Sequence, residues 1–295
     1  MQRLLLALGL SAAFVTPVLA ADVVYEEPAA PIAIEAAPTW TGLYLGIQGG
    51  GAFQPDEGDG LVIAPSFGAN TAVPGLTAAA NNGFAANTIG AAFGNSFSSE
   101  FDSSFIGGAH IGYDYQAGNF VIGVLADINA VDIKRRDSAF SNTPAFYTAE
   151  RSLDYLATGR LRAGYLLTPT ALAYATGGIA YGEVDYGFST DSPAVAGNGR
   201  STATARPGAL FDAGNEIGYS VGGGVEVKIT QNISFGAEYL YTDLGDRNLV
   251  ARLDGGPFDG NASNGAGSTG GFTDFGTTDT FDFHTVTAKL SYRFN

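Results

Sequence analysis

The chain has 295 residues, of which 45% are hydrophobic, only 15% are charged and 42 are glycine, and its formal net charge is −15. An acidic balance of that size argues against a nucleic-acid-binding surface, and so much glycine with so few charges is far from the usage of a soluble helical enzyme. The absence of cysteine rules out disulfides, thiol chemistry and cysteine metal sites, and no stretch reaches the roughly 18 consecutive apolar residues of a membrane-spanning helix.

Residues 1–20 have a secretory layout: Arg3 is the positive end, an apolar run extends from Leu4 to Val15, and small residues precede a cleavage point between Ala20 and Ala21. The chain is therefore expected to be exported, in a bacterium. Residues 21–39 are rich in Pro, Ala and Glu and carry no sustained period, which reads as an extended periplasmic linker.

From residue 40 to 295 strand patterns alternate with glycine-rich interruptions. Period-two alternation predicts eight strands: Trp40–Phe53, Ser104–Gln116, Asn119–Ile133, Arg151–Leu166, Thr170–Val184, Asn215–Ile229, Asn232–Leu244 and Thr280–Phe294. The connections alternate between tight ("QAGN", "LLTPT", "TQN") and long (Gln54–Ser103, Lys134–Glu150, Asp185–Gly214, Gly245–Asp279). An even strand number with short turns at one end and four long loops at the other fits an all-β, antiparallel, up-and-down transmembrane barrel of the outer membrane, loops extracellular and both termini periplasmic.

Facing agrees. The closing segment "HTVTAKLSYRFN" sets Val286, Ala288, Leu290, Tyr292 and Phe294 against Thr285, Thr287, Lys289, Ser291 and Arg293. Phe120, Ile122, Val124, Ala126 and Ile128 share a face of the third strand, Ile217, Tyr219, Val221, Val225 and Val227 of the sixth, and Ile233, Phe235, Ala237, Tyr239 and Tyr241 of the seventh. The opposite faces carry Asp127, Asp154, Arg160, Arg162, Glu226, Lys228, Glu238, Lys289 and Arg293, with His110, Asp114 and Asn129. An apolar wall around a charged lumen inverts a soluble barrel. A buried charge needs a partner, so these nine charged residues are expected to form a lumen ion-pair network. The fifth strand, "ALAYATGGIAYG", has no clearly polar face, and its facing stays open. Aromatic residues at strand ends, Tyr113, Tyr115, Tyr165, Tyr292 and Phe294 at one and Phe53, Phe105, Tyr155, Tyr181 and Tyr241 at the other, read as two interfacial girdles.

The segments "TWTGLYLGIQGG", "LDYLATGRLRAGYLL", "YATGGIAYG", "EYLYTDLG" and "LSYRF", in that order, resemble the small alphaproteobacterial outer-membrane barrel family of major surface antigens, with OmpA-type eight-stranded architecture and no periplasmic domain. The resemblance implies outer-membrane lipid and lipopolysaccharide as surroundings, and insertion by the outer-membrane assembly machinery reading a terminal aromatic signal, here Tyr292 and Phe294. In some relatives it also implies covalent attachment to peptidoglycan, which Ala21-Asp22 would permit here.

Other chemistry competes with plainer readings. "GYSVG" (Gly218–Gly222) fits G-x-S-x-G, but a nucleophile elbow needs a strand-to-helix turn, and Ser220 lies within a strand. His110 could serve as a general base with Asp114 to orient it; a hydrogen-bonded lumen histidine is the simpler expectation. His284 stands near the loop rim with less company still. Asp254, Asp259, Asp274 and Asp279 in the last loop offer calcium chemistry, against flexible solvated surface. Lys134, Arg135 and Arg136 end the third strand either as a charged rim or as ligands of lipopolysaccharide phosphate. The expectation is a monomeric, cofactor-free, non-catalytic structural barrel that supports the envelope and displays its loops. A narrow diffusion pore and a loop-mediated adhesin or receptor are the alternatives.

Overall fold

The computed structural model describes residues 38–55, 61–65, 93, 96–141, 145–192, 204–206, 214–245, 250–254, 272–277 and 280–294, all within the compact unit Ala37–Asn295. The signal peptide, the Ala20–Ala21 cleavage point, the linker up to residue 37 and Asn295 lie outside the described residues.

Those residues form thirteen strands: β1 Gly42–Phe53, β2 Val62–Pro65, β3 Phe97–Asp102, β4 Ser104–Ala117, β5 Phe120–Ser141, β6 Ala145–Thr168, β7 Ala171–Thr190, β8 Thr204–Arg206, β9 Gly214–Lys228, β10 Ile233–Asp243, β11 Val250–Asp254, β12 Phe272–Gly276 and β13 Asp282–Phe294. Eight of them, β1, β4, β5, β6, β7, β9, β10 and β13, pair antiparallel into a closed ring. Closure joins the first to the last, with Leu43 opposite Phe294 and Phe53 opposite His284. A closed ring leaves no sheet edge in the hydrocarbon, where an unpaired backbone group costs several kcal/mol. The eight spanning strands are those that alternation predicts, to within a few residues except where β5, β6 and β7 extend beyond them at the loop end.

The β4–β5, β6–β7 and β9–β10 connections are tight, and Gly118 turns the first of them with a positive φ of 63°. At the opposite end the structure departs from expectation. In the segment read as a loop over Lys134–Glu150, the described residues prolong β5 and β6, which pair as far as Ser141 opposite Ala145. Strand β3 lines the extended β5, and β7 runs on to Thr190 opposite Tyr147. A second sheet, in the order β2-β12-β11-β8, is built entirely from the long connections. Between the two sheets lies an apolar core of Leu61, Ile63, Phe93, Ala139, Ala145, Tyr147, Ala149, Leu253 and Phe275. The rings of Tyr147 and Phe275 stack at 4.6 Å. The part of the long loops that is described is thus a packed cap rather than flexible solvated surface.

The fifth spanning strand, β7, turns Leu172, Tyr174, Thr176, Ala180 and Val184 inward and leaves Ala175 and Ile179 exposed. That settles the facing its sequence left open. Strand β6 carries a bulge: two residues, Asp154 and Tyr155, stand between Leu153, opposite Val184, and Leu156, opposite Gly182. A bulge shifts the inward phase by one, so the inward residues are Leu156, Thr158, Arg160 and Arg162 on one side of it and Leu153, Arg151, Ala149 and Tyr147 on the other.

Candidate functional site

The interior is layered along the strands. Nearest the short turns, Trp40 is fully buried and packs with Val121, Leu166, Leu172 and Tyr174. Above it stands a first charge layer. Arg293 Nη2 meets Asp114 Oδ2 at 2.9 Å, Arg162 Nη1 lies 3.5 Å from the same oxygen, and Arg162 Nη2 binds Glu226 Oε2. Ser234 Oγ donates to the other oxygen of Glu226. The Arg162 guanidinium lies 4.0 Å from the centre of the Tyr174 ring, and Arg293 lies 4.6 Å from that of Tyr44, distances at which a cation is attracted to the ring face. Gly123 makes room for this layer: a Cβ there would sit 2.1 Å from Asp114 Oδ1, so no larger residue fits without moving the carboxylate.

A second layer follows. Arg160 Nη2 bridges Asp127 Oδ2 at 2.6 Å and Glu238 Oε1 at 3.0 Å, and Lys289 Nζ reaches the same Glu238 oxygen at 3.1 Å. Tyr174 Oη donates to Glu238 Oε2 at 2.9 Å. Thr158 Oγ1 and Asn129 Nδ2 donate to the two oxygens of Asp127 at 2.7 and 2.6 Å. Removing one member of such a buried set leaves its partner charge uncompensated, which costs about 3–5 kcal/mol.

Toward the loops the lumen changes character. Ala52, Ile106, Val131, Ile133, Leu153, Leu156, Ala180, Val184, Leu244, Phe281 and Phe283 form one apolar cluster supplied by β1, β4, β5, β6, β7 and β13, with Leu244 just past β10 and Phe281 just before β13. Eight strands enclose an interior only wide enough for side chains, so this cluster is an apolar stopper across it. Beyond it Asp137 lies buried between Arg151 Nη2 at 3.3 Å and Arg135 Nε at 3.6 Å, and Ser99 Oγ donates to it at 2.6 Å. The cap core comes next.

Of the nine expected network residues, Asp127, Arg160, Arg162, Glu226, Glu238, Lys289 and Arg293 meet in the lumen. Two do not take the expected place. Asp154 is exposed, because the β6 bulge turns it away from the side that Arg160 and Arg162 share. Lys228 is buried but donates to the carbonyls of Thr39 and Gln231 and stands 5.2 Å from the Trp40 ring, so backbone oxygens hold it instead of a carboxylate. Asp114, read only as a lumen neighbour of His110, is a full member of the network and does not orient the histidine. His110 Nε2 pairs with Ser291 Oγ at 2.9 Å, and its Nδ1 has no hydrogen-bond partner among the described residues. Ser220 lies inside β9, its hydroxyl 2.8 Å from that of Thr242. Sequence reasoning missed Tyr44, Tyr174 and Trp40: it sought the lumen network among charged side chains only, and Tyr174 lies on the strand whose facing was open.

On the outer wall Tyr113, Tyr115, Tyr165, Tyr292 and Phe294 are exposed at the turn end, with the Tyr292 and Phe294 rings 5.0 Å apart. At the loop end the Tyr155 and Tyr181 rings lie 6.1 Å apart. His284 has more company than its sequence suggests: it lies between Phe53 at 5.6 Å and Tyr239 at 5.7 Å, and its Nδ1 is 2.6 Å from the Tyr239 hydroxyl. The basic run beyond is taken up by carboxylates: Lys134 pairs with Asp132 at 3.0 Å, and Arg136 with Asp102 at 2.7 Å and Glu150 at 2.6 Å. Asp274 forms a two-pronged pair with Arg252 at 2.8 and 2.9 Å; Asp259 and Asp279 lie outside the described residues, as does the side chain of Asp254.

A closed eight-stranded ring, apolar on its outer face and charged within, is the architecture of a transmembrane β-barrel of the outer membrane. The family model described as outer membrane protein beta-barrel domain matches residues 64–294, and the chain belongs to that family. It is 31% identical over 260 residues, 85% of its own length, to the 31 kDa outer-membrane immunogenic protein of Brucella melitensis biotype 1, of which the match covers 90%. It is 29% identical over 154 residues, 52% of its length, to 58% of the 22 kDa outer membrane protein of Rhizobium leguminosarum bv. viciae. These relatives set it in the alphaproteobacterial branch of outer-membrane barrels. Among solved structures, the outer membrane protein OprG from Pseudomonas aeruginosa aligns over 86% of this chain and 97% of its own, with a TM-score of 0.39 and 14% identity.

Proposed function

We propose that this outer-membrane barrel is a non-catalytic structural protein: it stiffens the outer membrane and holds a folded cap at the cell surface. The observation that carries the reading is the filled lumen, a two-layer ion network between buried Trp40 below and the Ile133–Leu156–Phe283 stopper above. An apolar constriction excludes hydrated ions, which weighs against the narrow diffusion pore. Enzymatic chemistry has little support, because His110 lacks an orienting carboxylate and Ser220 sits in a regular strand.

In this reading the long connections face outward and the termini face the periplasm, as in barrels of this kind. The signal peptide covers residues 1–20, with cleavage between Ala20 and Ala21. Residues 21–39 tether the barrel, with attachment to peptidoglycan through Ala21 as their function. Tyr292 and Phe294 are read by the assembly machinery, and lipid and lipopolysaccharide surround the barrel as a monomer. The packed core between two sheets also favours display, since it gives the surface a fixed shape that a partner could recognise.

The test is a deletion strain. Loss of the protein is expected to increase uptake of the hydrophobic dye N-phenylnaphthylamine, and complementation with the full gene to restore the barrier. An unchanged barrier in the deletion strain would refute the envelope role. Labelling of a Phe140→Cys variant by a membrane-impermeant maleimide only in permeabilised cells would refute the surface orientation, because Phe140 is exposed at the loop end and the chain has no other cysteine.

A further inference from the structure

Trp40 precedes the first strand, yet it is wholly buried and points into the barrel mouth. Every short turn and the last strand take part in holding it there. Its backbone NH donates to Gln116 Oε1 at 2.8 Å, beside the β4–β5 turn, and Gln116 N in return donates to Thr41 Oγ1 at 3.0 Å. Its indole NH donates to the carbonyl of Pro169 in the β6–β7 turn at 3.2 Å. Lys228, at the β9–β10 turn, lies over the ring and also binds the carbonyl of Thr39. Arg293, one residue before the end of β13, donates to the Trp40 carbonyl and stands 5.4 Å from the ring centre.

These partners lie 76, 129 and 253 residues away along the chain for Gln116, Pro169 and Arg293. In an open sheet they would fan apart, and no one side chain could touch them all. They converge only when β1 and β13 have paired. We propose that Trp40 is a closure latch: it enters the mouth after the first and last strands zip together, and its entry locks the closed ring. The chemistry fits a late step. An indole buries a large apolar surface while its NH finds an acceptor, and two cations face the ring, an attraction that gains strength once water has left.

Trp40 is the single tryptophan of the chain, so its emission reports on this residue alone. The full mature chain is refolded from urea into phospholipid vesicles, following indole emission and acrylamide quenching alongside the heat-modifiable compact band on gels. Protection of the indole is expected to coincide with or follow the compact band. Protection that precedes the band would overturn the proposal, since burial would then not need closure. A second measurement uses Trp40→Ala. Interactions made after the folding transition state chiefly slow unfolding, so the variant is expected to form the band at the parent rate and to lose it about tenfold or more faster at fixed temperature. A slower or failed formation of the band, or an unchanged rate of loss, would overturn the latch.

Discussion

Strands β5 and β6 carry two opposite patterns along their length. In their turn-end halves Ile122, Val124, Ile128 and Leu161 face outward while Asp127, Arg160 and Arg162 face inward. In their loop-end halves the outward positions hold Lys134, Arg136 and Glu150, and the inward ones, past the buried Arg135–Asp137–Arg151 cluster, hold Ala139, Tyr147 and Ala149. The two strands stay paired on both sides of the change, with a register shift between Ala130 and Ile133 where it falls, and what differs between the halves is the solvent. Where lipid bathes the wall, apolar residues belong outside and the interior accepts charges that satisfy each other. Where water bathes it, the same strands bury apolar side chains against a second sheet, as a soluble sandwich does. The switch falls near Asp132, Asp154 and Glu183, exposed carboxylates at matching heights on β5, β6 and β7, which marks the upper limit of the apolar band.

If the two halves obey different rules, they should break differently. The largest effect is expected for Glu238→Leu, which strips Arg160, Lys289 and Tyr174 of one shared acceptor. A loss of about 3–5 kcal/mol is expected, read as earlier disappearance of the heat-modifiable band in a urea series. Phe275→Ala in the cap should also cost about 3–5 kcal/mol of local packing. There the loss should be confined: proteinase K should cut the cap sooner while the gel shift of the barrel stays in place. If the band and the cap failed together, the division into two regions would be wrong. Next in size is the coupling between Arg160→Met and Asp127→Leu. The double variant should be more stable than the sum of the single losses predicts by about 1–3 kcal/mol, because replacing both partners removes the unpaired charge that each single change leaves. The smallest effect is expected for Asp154→Asn, within about 0.5 kcal/mol of the parent, since this carboxylate is exposed; an effect comparable to Glu238→Leu would return it to the network.

Most of the wall was legible because alternation is a local signal. Phe120 to Ile128 and Val286 to Phe294 announce one lipid-facing side without any knowledge of their neighbours, and the tight turns fix which end is which. What escaped depends on distant partners or on a broken period. The β6 bulge moves Asp154 outward, and nothing in "SLDYLA" signals the extra residue. The cap pairs segments near residues 63, 205, 252 and 275, too short and too far apart to show a strand period of their own. Lys228 was read correctly as inward, but its partners are carbonyls of Thr39 and Gln231, which no side-chain inventory contains. The fifth strand could not be oriented because its inward residues, Leu172, Tyr174 and Thr176, are hardly more polar than Ala171, Ala173 and Ala175 opposite; Tyr174 faces in because its hydroxyl meets Glu238.

The central claim is that the lumen is filled from end to end, and single-channel recording in a planar bilayer tests it most directly, using protein whose folding is verified by its heat-modifiable gel shift. A silent membrane is expected for the parent, with silence preserved after Glu238→Gln, because the stopper around Ile133, Leu156 and Phe283 lies outside the charge network. Steady discrete openings by the parent would contradict it and restore the diffusion pore as the function of this barrel.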